Sequence, residues 1–351
     1  MSELIKLKAP VSIVSTASAV GAEEFCGPLG DLFDIHSTDG DTFGCDTWEK
    51  SESEMQRLAL DKALEKGKIG KSSLDCIFAG DLINQCCASS YGMVSFDTPL
   101  LGLYGACSTL AEGLLLGSAL CSSGTFSMCA AVTSSHNAGA ERQFRFPLEY
   151  GAQRCPTCQW TVTGAGAFIL SGEKKDCFPL ITHILPGRPT DAGIRDANNM
   201  GAAMAPAAAD TLLRYFSDGG EMPQMILTGD LGYEGSEILK DIMKENRYDI
   251  RESHCDCGLM IYDREKQDKH AGGSGCGCSA AVLSSVITDR LHRGDLRDVV
   301  FVGTGALMSP MSIQQGQSIV GIAHLVRLCS PKYTFNKSGS FEREGAKEKN
   351  D

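Results

Sequence analysis

Two short stretches decide how this sequence reads: Phe78-Ala79-Gly80-Asp81-Leu82 and Leu227-Thr228-Gly229-Asp230-Leu231. Each is an apolar run stopped by Gly-Asp, the pattern of a buried strand that ends in a turn. They stand 230 − 81 = 149 residues apart. Downstream of each, the elements keep one order. A turn with cysteine comes next, Gly105-Ala106-Cys107 in the first series and Cys255-Asp256-Cys257-Gly258 in the second. Apolar helices of small residues are then expected over residues 107–121 and 275–291, strands over 126–133 and 299–302, and closing strands over 161–170 and 319–328. Ahead of each Gly-Asp signal the spacing predicts a helix, over 51–65 and over 202–216, the first with serines for a cap and Gly67 to end it. Residues 11–17 are apolar and β-branched and predict the first strand. Residues 134–158 read as a long polar loop. Order is kept while loop lengths vary, so the chain reads as an internal duplication: an α/β protein of two halves whose helices cover mixed sheets. The halves are placed at 1–200 and 201–329. The polar tail, 330–351, is expected to fray.

Composition limits the function. The chain has 351 residues, enough for two domains or one large α/β unit. Lys+Arg is 32 against Asp+Glu 44, a net charge of −12, so nothing is left over to neutralise nucleic-acid phosphates or to dock on anionic lipid. No apolar run reaches the length of a membrane span, and the first residues lack a signal-peptide core. The 16 cysteines sit largely inside apolar runs, such as Leu74-Asp75-Cys76-Ile77-Phe78, where a free thiol behaves as a small hydrophobe. That usage points to a reducing, intracellular compartment. Cys155-Pro156-Thr157-Cys158 has zinc-knuckle spacing, but Cys255-Asp256-Cys257 and Cys276-Gly277-Cys278 do not extend it, so no metal site is expected.

The chemistry centres on Leu103-Tyr104-Gly105-Ala106-Cys107-Ser108-Thr109. A strand runs in and a helix runs out, which places the Cys107 thiol where helix N–H groups lower a thiolate pKa. Gly105 and Ala106 leave room for a substrate to approach. The same cysteine also reads as a packed structural residue. Of the 7 histidines, His136 in Thr133-Ser134-Ser135-His136-Asn137 lies just past a strand end, the edge where α/β ligands bind. It reads equally as a loop histidine held by backbone.

These residues carry a resemblance. The strand-Cys-helix turn, the duplicated halves and the Gly272-Gly273-Ser274-Gly275 helix start resemble the thiolase fold of the ketoacyl synthases, which implies a layered αβαβα arrangement. A closer resemblance is to the stage V sporulation protein AD family of spore-forming bacteria. It rests on Gly105-Ala106-Cys107-Ser108-Thr109, Ala140-Glu141-Arg142-Gln143-Phe144-Arg145, Ala203-Met204-Ala205-Pro206-Ala207-Ala208-Ala209-Asp210, Asp256-Cys257-Gly258-Leu259-Met260-Ile261-Tyr262 and Ala271-Gly272-Gly273-Ser274-Gly275-Cys276. The resemblance implies binding of dipicolinic acid, brought with calcium as its chelate. It also implies support of its uptake into the developing spore, and work beside membrane-embedded proteins of the same operon. The expected location is inside a sporulating cell or spore, peripheral to the spore membrane. Thiolase-like chains pair as homodimers, here through the strand at 126–133. The alternative is an acyl-transfer or condensing enzyme using Cys107. Ketoacyl synthases place a His after the second-half strand and a His or Asn at the second glycine-rich turn. Here those positions fall near Thr228-Gly229-Asp230 and Gly275-Cys276-Gly277-Cys278, which hold neither.

A flat dianion on an acidic protein needs local donors. Arg142 and Arg145 suit bidentate carboxylate contacts, or are solvated or paired elsewhere. Asp81 and Asp230 at matching strand ends either line the pocket toward calcium or cap the following helices. Asn84 and Gln85 add amides nearby, and Asn137 stands next to His136. The ligand-binding set is therefore Cys107, His136, Asn137, Arg142, Asp81, Asn84, Gly229 and Asp230, with the pocket where the Cys107 turn, the His136 loop and Gly229-Asp230 converge. No protein-held cofactor is expected.

Overall fold

The structure, a computed structural model, describes residues 3–144, 154–173, 175, 177–335 and 341–343. Ten strands lie on the main path of a 12-stranded sheet. They are β1 (Ile5–Val20), β2 (Cys76–Gly80), β3 (Leu100–Leu103), β4 (Met128–Ser135), β5 (Gly164–Ser171), β6 (Leu180–Leu185), β7 (Met225–Thr228), β8 (His254–Asp256), β9 (Asp298–Leu307) and β10 (Val320–Cys329). Their order across the sheet is β8-β7-β9-β10-β6-β1-β5-β4-β2-β3. Exchanging β1–β5 for β6–β10 turns this order into its own reverse. Pairing type obeys the same exchange. β2 is parallel to β3 and β4, as β7 is to β8 and β9. β4–β5 and β5–β1 are antiparallel, as are β9–β10 and β10–β6. The two series join where β1 meets β6 antiparallel. The duplication is thus written into the topology, and the second series opens at Leu180.

The helices are α1 (Trp48–Gly67), α2 (Cys87–Met93), α3 (Thr109–Ser122), α4 (Asn137–Phe144), α5 (Met200–Ser217), α6 (Gly232–Glu245) and α7 (Cys276–Val282), which runs on through a π turn, Leu283–Ile287, into Thr288–Arg293. Strand side chains alternate between faces, and that period sorts the core into layers. Cys76, Phe78, Cys129, Ala131, Phe168 and Leu170 share a core with Leu110 and Leu114 of α3 and Ala280 of α7. Their neighbours Ile77, Ala79, Ala130, Val132 and Ile169 face the other way, onto Met55, Ala59, Leu60 and Ala63 of α1. In the second half Leu227, Val299 and Phe301 join the central core, while Ile226, Val300 and Val302 pack on Leu212 and Tyr215 of α5. The result is the αβαβα arrangement, with α3 and α7 buried in the middle layer. Each fully buried Leu, Ile or Phe here contributes roughly 1.5–3 kcal/mol.

The structure departs from the sequence expectations at particular elements. The strand expected to pair two copies, residues 126–133, is interior: β4 lies between β2 and β5, and the edge strand of the first half is β3. The loop expected over 134–158 contains helix α4, and residues 145–153, Arg145 among them, lie outside the described residues. Thr47, and not a serine, caps α1, its side chain accepting from the Lys50 N–H. Helix α3 starts at Thr109, so Cys107 belongs to the turn before it. In the tail, Tyr333–Phe335 pairs antiparallel with Phe341–Arg343.

Helix α1 ends on Lys68 in the left-handed region, φ 52° and ψ 43°, with an exposed side chain. An L-residue is disfavoured there and glycine is not. Lys68→Gly is expected to raise stability by about 0.5–1 kcal/mol in urea unfolding, after the added flexibility of the unfolded chain is offset. A loss of stability would contradict the cap geometry.

Candidate functional site

The Cys107 turn is built to be rigid. Ala106 sits at φ +51°, the left-handed region. The Gly105 carbonyl accepts from Ser108 N at 3.1 Å and Ser108 Oγ at 2.7 Å, and Thr109 Oγ1 donates to the Ala106 carbonyl at 2.6 Å. The second half presses on this turn. A Cβ at Gly305 of β9 would lie 2.4 Å from the Gly105 carbonyl, so only glycine lets the strand come this close.

Asp230 joins the halves chemically. It is fully buried at the end of β7. Its Oδ2 accepts from Gly275 N at 2.8 Å and Ser274 Oγ at 3.2 Å, and its Oδ1 from Thr304 Oγ1 at 2.9 Å. Cys107 Sγ lies 3.9 Å from Ser274 Oγ, which itself donates to Asp230 Oδ2, so the thiol sits beside this carboxylate. Burial pushes the Cys107 pKa well above its ordinary value, and the charge on Asp230 adds to the rise. The helix-start argument led to the opposite expectation, a lowered thiol pKa. It fails because the helix begins two residues later and a buried carboxylate occupies the position facing the sulfur.

A cleft of about 570 Å³, counted to its open mouth, lies beside Cys107. Its walls include Tyr104, Ala106 and Cys107 of the turn, Ala140, Glu141 and Phe144 of α4, Thr161, Met200 of α5, Ser274, and Ala306 and Met308 at the end of β9 and just beyond it. Most of the wall is apolar, with hydroxyls from Tyr104, Thr161 and Ser274. Tyr104 is partly exposed, and desolvation of its covered side raises its pKa to about 12, so its hydroxyl stays protonated. Glu141 carries the cleft's formal charge, and its Oε1 accepts from Thr161 Oγ1 at 3.4 Å. Among the described residues no Lys, Arg or His lines it.

Of the expected ligand-binding set, the structure brings Cys107 and Asp230 together and sends the others elsewhere. His136 is buried, its Nε2 2.9 Å from the Asp41 carbonyl and its Nδ1 accepting from Gly139 N at 3.4 Å. Burial lowers its pKa, so it is a neutral ring tying the residue 36–47 loop down. Asn137 does not face the cleft but donates from Nδ2 to the Thr161 carbonyl at 3.1 Å, holding a lining residue. Arg142 points outward, paired with Glu49 and 5.1 Å from the Trp48 ring centroid. Asp81 is buried and accepts from Ile83 N at 2.9 Å, Ser89 N at 2.8 Å and Ser89 Oγ at 2.5 Å, which makes it a cap. Burial raises its pKa. Asn84 is exposed, its N–H donating to Gln143 Oε1 at 3.0 Å. Gly229 lies under Thr304, where a Cβ would come to 3.2 Å. Among the described residues no three His, Cys, Asp or Glu come together to hold an ion. None of the 16 cysteines is in a disulfide.

The family described as stage V sporulation protein AD matches residues 2–329. A stage V sporulation protein AD of Bacillus subtilis (strain 168) is 44% identical over 320 residues, covering 90% of this chain and 93% of that protein. This chain belongs to the stage V sporulation protein AD family. Its fold is thiolase-like. The chain superposes on 3-oxoacyl-[acyl-carrier-protein] synthase III of Aquifex aeolicus VF5 with a TM-score of 0.55 at 12% identity, covering 90% of this chain and 99% of that one. It superposes on a variant of Xanthomonas campestris OleA with bound lauric acid and lauroyl-CoA at 0.57 and 14%, covering 91% and 100%. These likenesses show the fold. No helix among the described residues is long and apolar enough to cross a membrane.

The raised thiol pKa has a direct readout. With iodoacetamide at pH 8, peptide mapping is expected to find Cys107 alkylated at least about tenfold more slowly than an exposed reference thiol. Exposed Cys26 and Cys177 supply the internal reference. Equal rates would contradict the raised pKa.

Proposed function

We propose that this chain binds dipicolinate as its calcium chelate in the cleft beside Cys107, and supports its uptake into the developing spore without acting on it chemically. The observation that carries the reading is the occupant of the position facing Cys107. A buried thiol with a buried carboxylate near it favours a protonated wall, whereas a condensing enzyme needs a base and an oxyanion donor there. Membership in a sporulation family supports the ligand class.

Charge favours the chelate over the free acid. The free ligand is a dianion, and the described lining is mostly apolar. In the chelate, calcium's two positive charges cancel the two carboxylates, and a flat neutral body suits a wall of Phe144, Met200, Met308 and Leu82. Calcium takes oxygen ligands, and Glu141 is the carboxylate at hand. The Arg142 contact drawn from sequence has no part in this arrangement, because that side chain pairs with Glu49. Transfer across a membrane falls to the membrane-embedded partners of the same operon, with this chain peripheral to the spore membrane.

Calorimetric titration tests the reading. Calcium dipicolinate is expected to bind saturably and more tightly than dipicolinate in EDTA. Cys107→Trp, checked for folding, is expected to abolish binding, and Arg142→Ala to leave it within about twofold because an exposed pair contributes little. Turnover of acyl-CoA that vanishes in Cys107→Ser would favour the enzyme instead.

The same reading includes a homodimer, through β3. Its outward face and the helix before it expose Tyr91 (74%), Val94 (75%) and Leu101 (49%). An unpaired apolar edge strand is a template for a second copy. Light scattering is expected to give twice the chain's 37.4 kDa, and Leu101→Asp to give the monomer mass. A monomeric parent at micromolar concentration would refute the pairing.

A further inference from the structure

Lys269 is 3% exposed, an unusual place for an ammonium group. Its Nζ lies 3.6 Å from the Trp160 ring centroid, 5.3 Å from that of Tyr262 and 3.0 Å from Glu23 Oε2. The Arg154 guanidinium also lies 4.6 Å from the Trp160 centroid. Both residues flanking Lys269 are held in the left-handed region without being glycine, Asp268 at φ +53° and His270 at φ +42°. The chain thus accepts strain on both sides to carry one buried cation onto an indole. A Met or Leu would fill the same space without desolvating a charge.

What the clamp grips explains the arrangement. Trp160-Thr161 pairs in parallel with Gly273-Ser274, one short ladder between a first-half and a second-half segment. Trp160 N donates to the Gly272 carbonyl at 2.9 Å, Val162 N to the Ser274 carbonyl at 2.8 Å, and Gly272 N back to the Lys269 carbonyl at 2.7 Å. Thr161 and Ser274 both line the cleft, and Ser274 and Gly275 are donors to Asp230. The path from the Lys269 clamp to the cleft wall is therefore short: one residue along the first strand, from Trp160 to Thr161, and two along the second, from Gly272 to Ser274.

We propose that Lys269 is a positioning residue for the cleft: its ammonium, stacked on Trp160, holds the two-strand ladder that sets Thr161 and Ser274 against the ligand. The ligand part of this inference rests on the function proposed above. The ladder part does not.

The test uses the full chain with Lys269→Met, which keeps most of the stem and removes the charge, and Lys269→Arg, which keeps the charge. In a Trp48→Phe background Trp160 is the remaining one of the chain's 2 tryptophans. The expected result is a shifted Trp160 emission in Lys269→Met, faster amide exchange confined to the 160–162 and 273–275 segments, and restoration of both in Lys269→Arg. Calcium dipicolinate should bind Lys269→Met about tenfold more weakly, the loss of one well-placed cation–π contact transmitted to the wall. Unchanged emission and exchange in Lys269→Met would overturn the positioning role, as would loss spread over the whole chain in both variants. A parent that fails to bind calcium dipicolinate would sink the proposed function and leave the ladder result to stand or fall by emission and exchange. If Lys269→Met fails to fold while Lys269→Arg folds, Lys269→Gln takes its place in the same readouts.

Discussion

The carboxylate of Asp230 is the constraint on which the rest of the site depends. It is a charge buried at the end of a second-half strand, and such a group persists only when donors surround it. Its donors come from separate places, the Ser274-Gly275 turn and Thr304 of β9, and Cys107 of the first half stands against Ser274. Removing the carboxylate would leave these donors unpaired at once. Keeping it fixes the turn, the glycine-rich helix start and the thiol in one geometry, and it also sets the chemistry, because the sulfur facing it is held as a thiol.

The fold supplies the means for that convergence. Two copies of one strand order meet at β1 and β6, and the segments just past β2 and β7 come to one cleft: Leu82 lines it, as does Ser274, a donor to Asp230. Ligand crevices of α/β folds lie at the carboxyl ends of strands. The buried helices α3 and α7 start there, one from each half. Small residues make the approach possible: β9 reaches the Cys107 turn through Gly305, and a Cβ at Gly303 would lie 2.5 Å from that of Ala111. A thiolase-like frame is thereby kept.

Much of the fold was legible in the sequence because its signals are local. Gly80-Asp81 and Gly229-Asp230 marked the matched strand ends, and small apolar residues marked both buried helices. The interior position of β4 was not legible, since an alternating strand looks the same at an edge and beside a neighbour paired from far along the chain. Strand β6 escaped for a similar reason, being short and half-covered, with His183 in its middle. At the site, Cys107 and Asp230 were readable from the turns that carry them. Arg142 misled because residue type says nothing about direction: α4 turns that side chain outward to Glu49 and Trp48, and turns Ala140, Glu141 and Phe144 inward. His136 misled because a strand-end histidine is as useful to a loop as to a ligand. Thr161 and Ser274 were hidden by small size and gain their place from a ladder between distant segments.

The most direct measurement is a crystal structure of the chain grown with calcium dipicolinate. The account predicts a flat ligand in the cleft between the Cys107 turn and α4, unbonded to sulfur, with Thr161 and Ser274 against it, its calcium toward Glu141, and the Asp230 contacts intact. Ligand density at another surface with this cleft empty, or a covalent bond to Cys107, would contradict it.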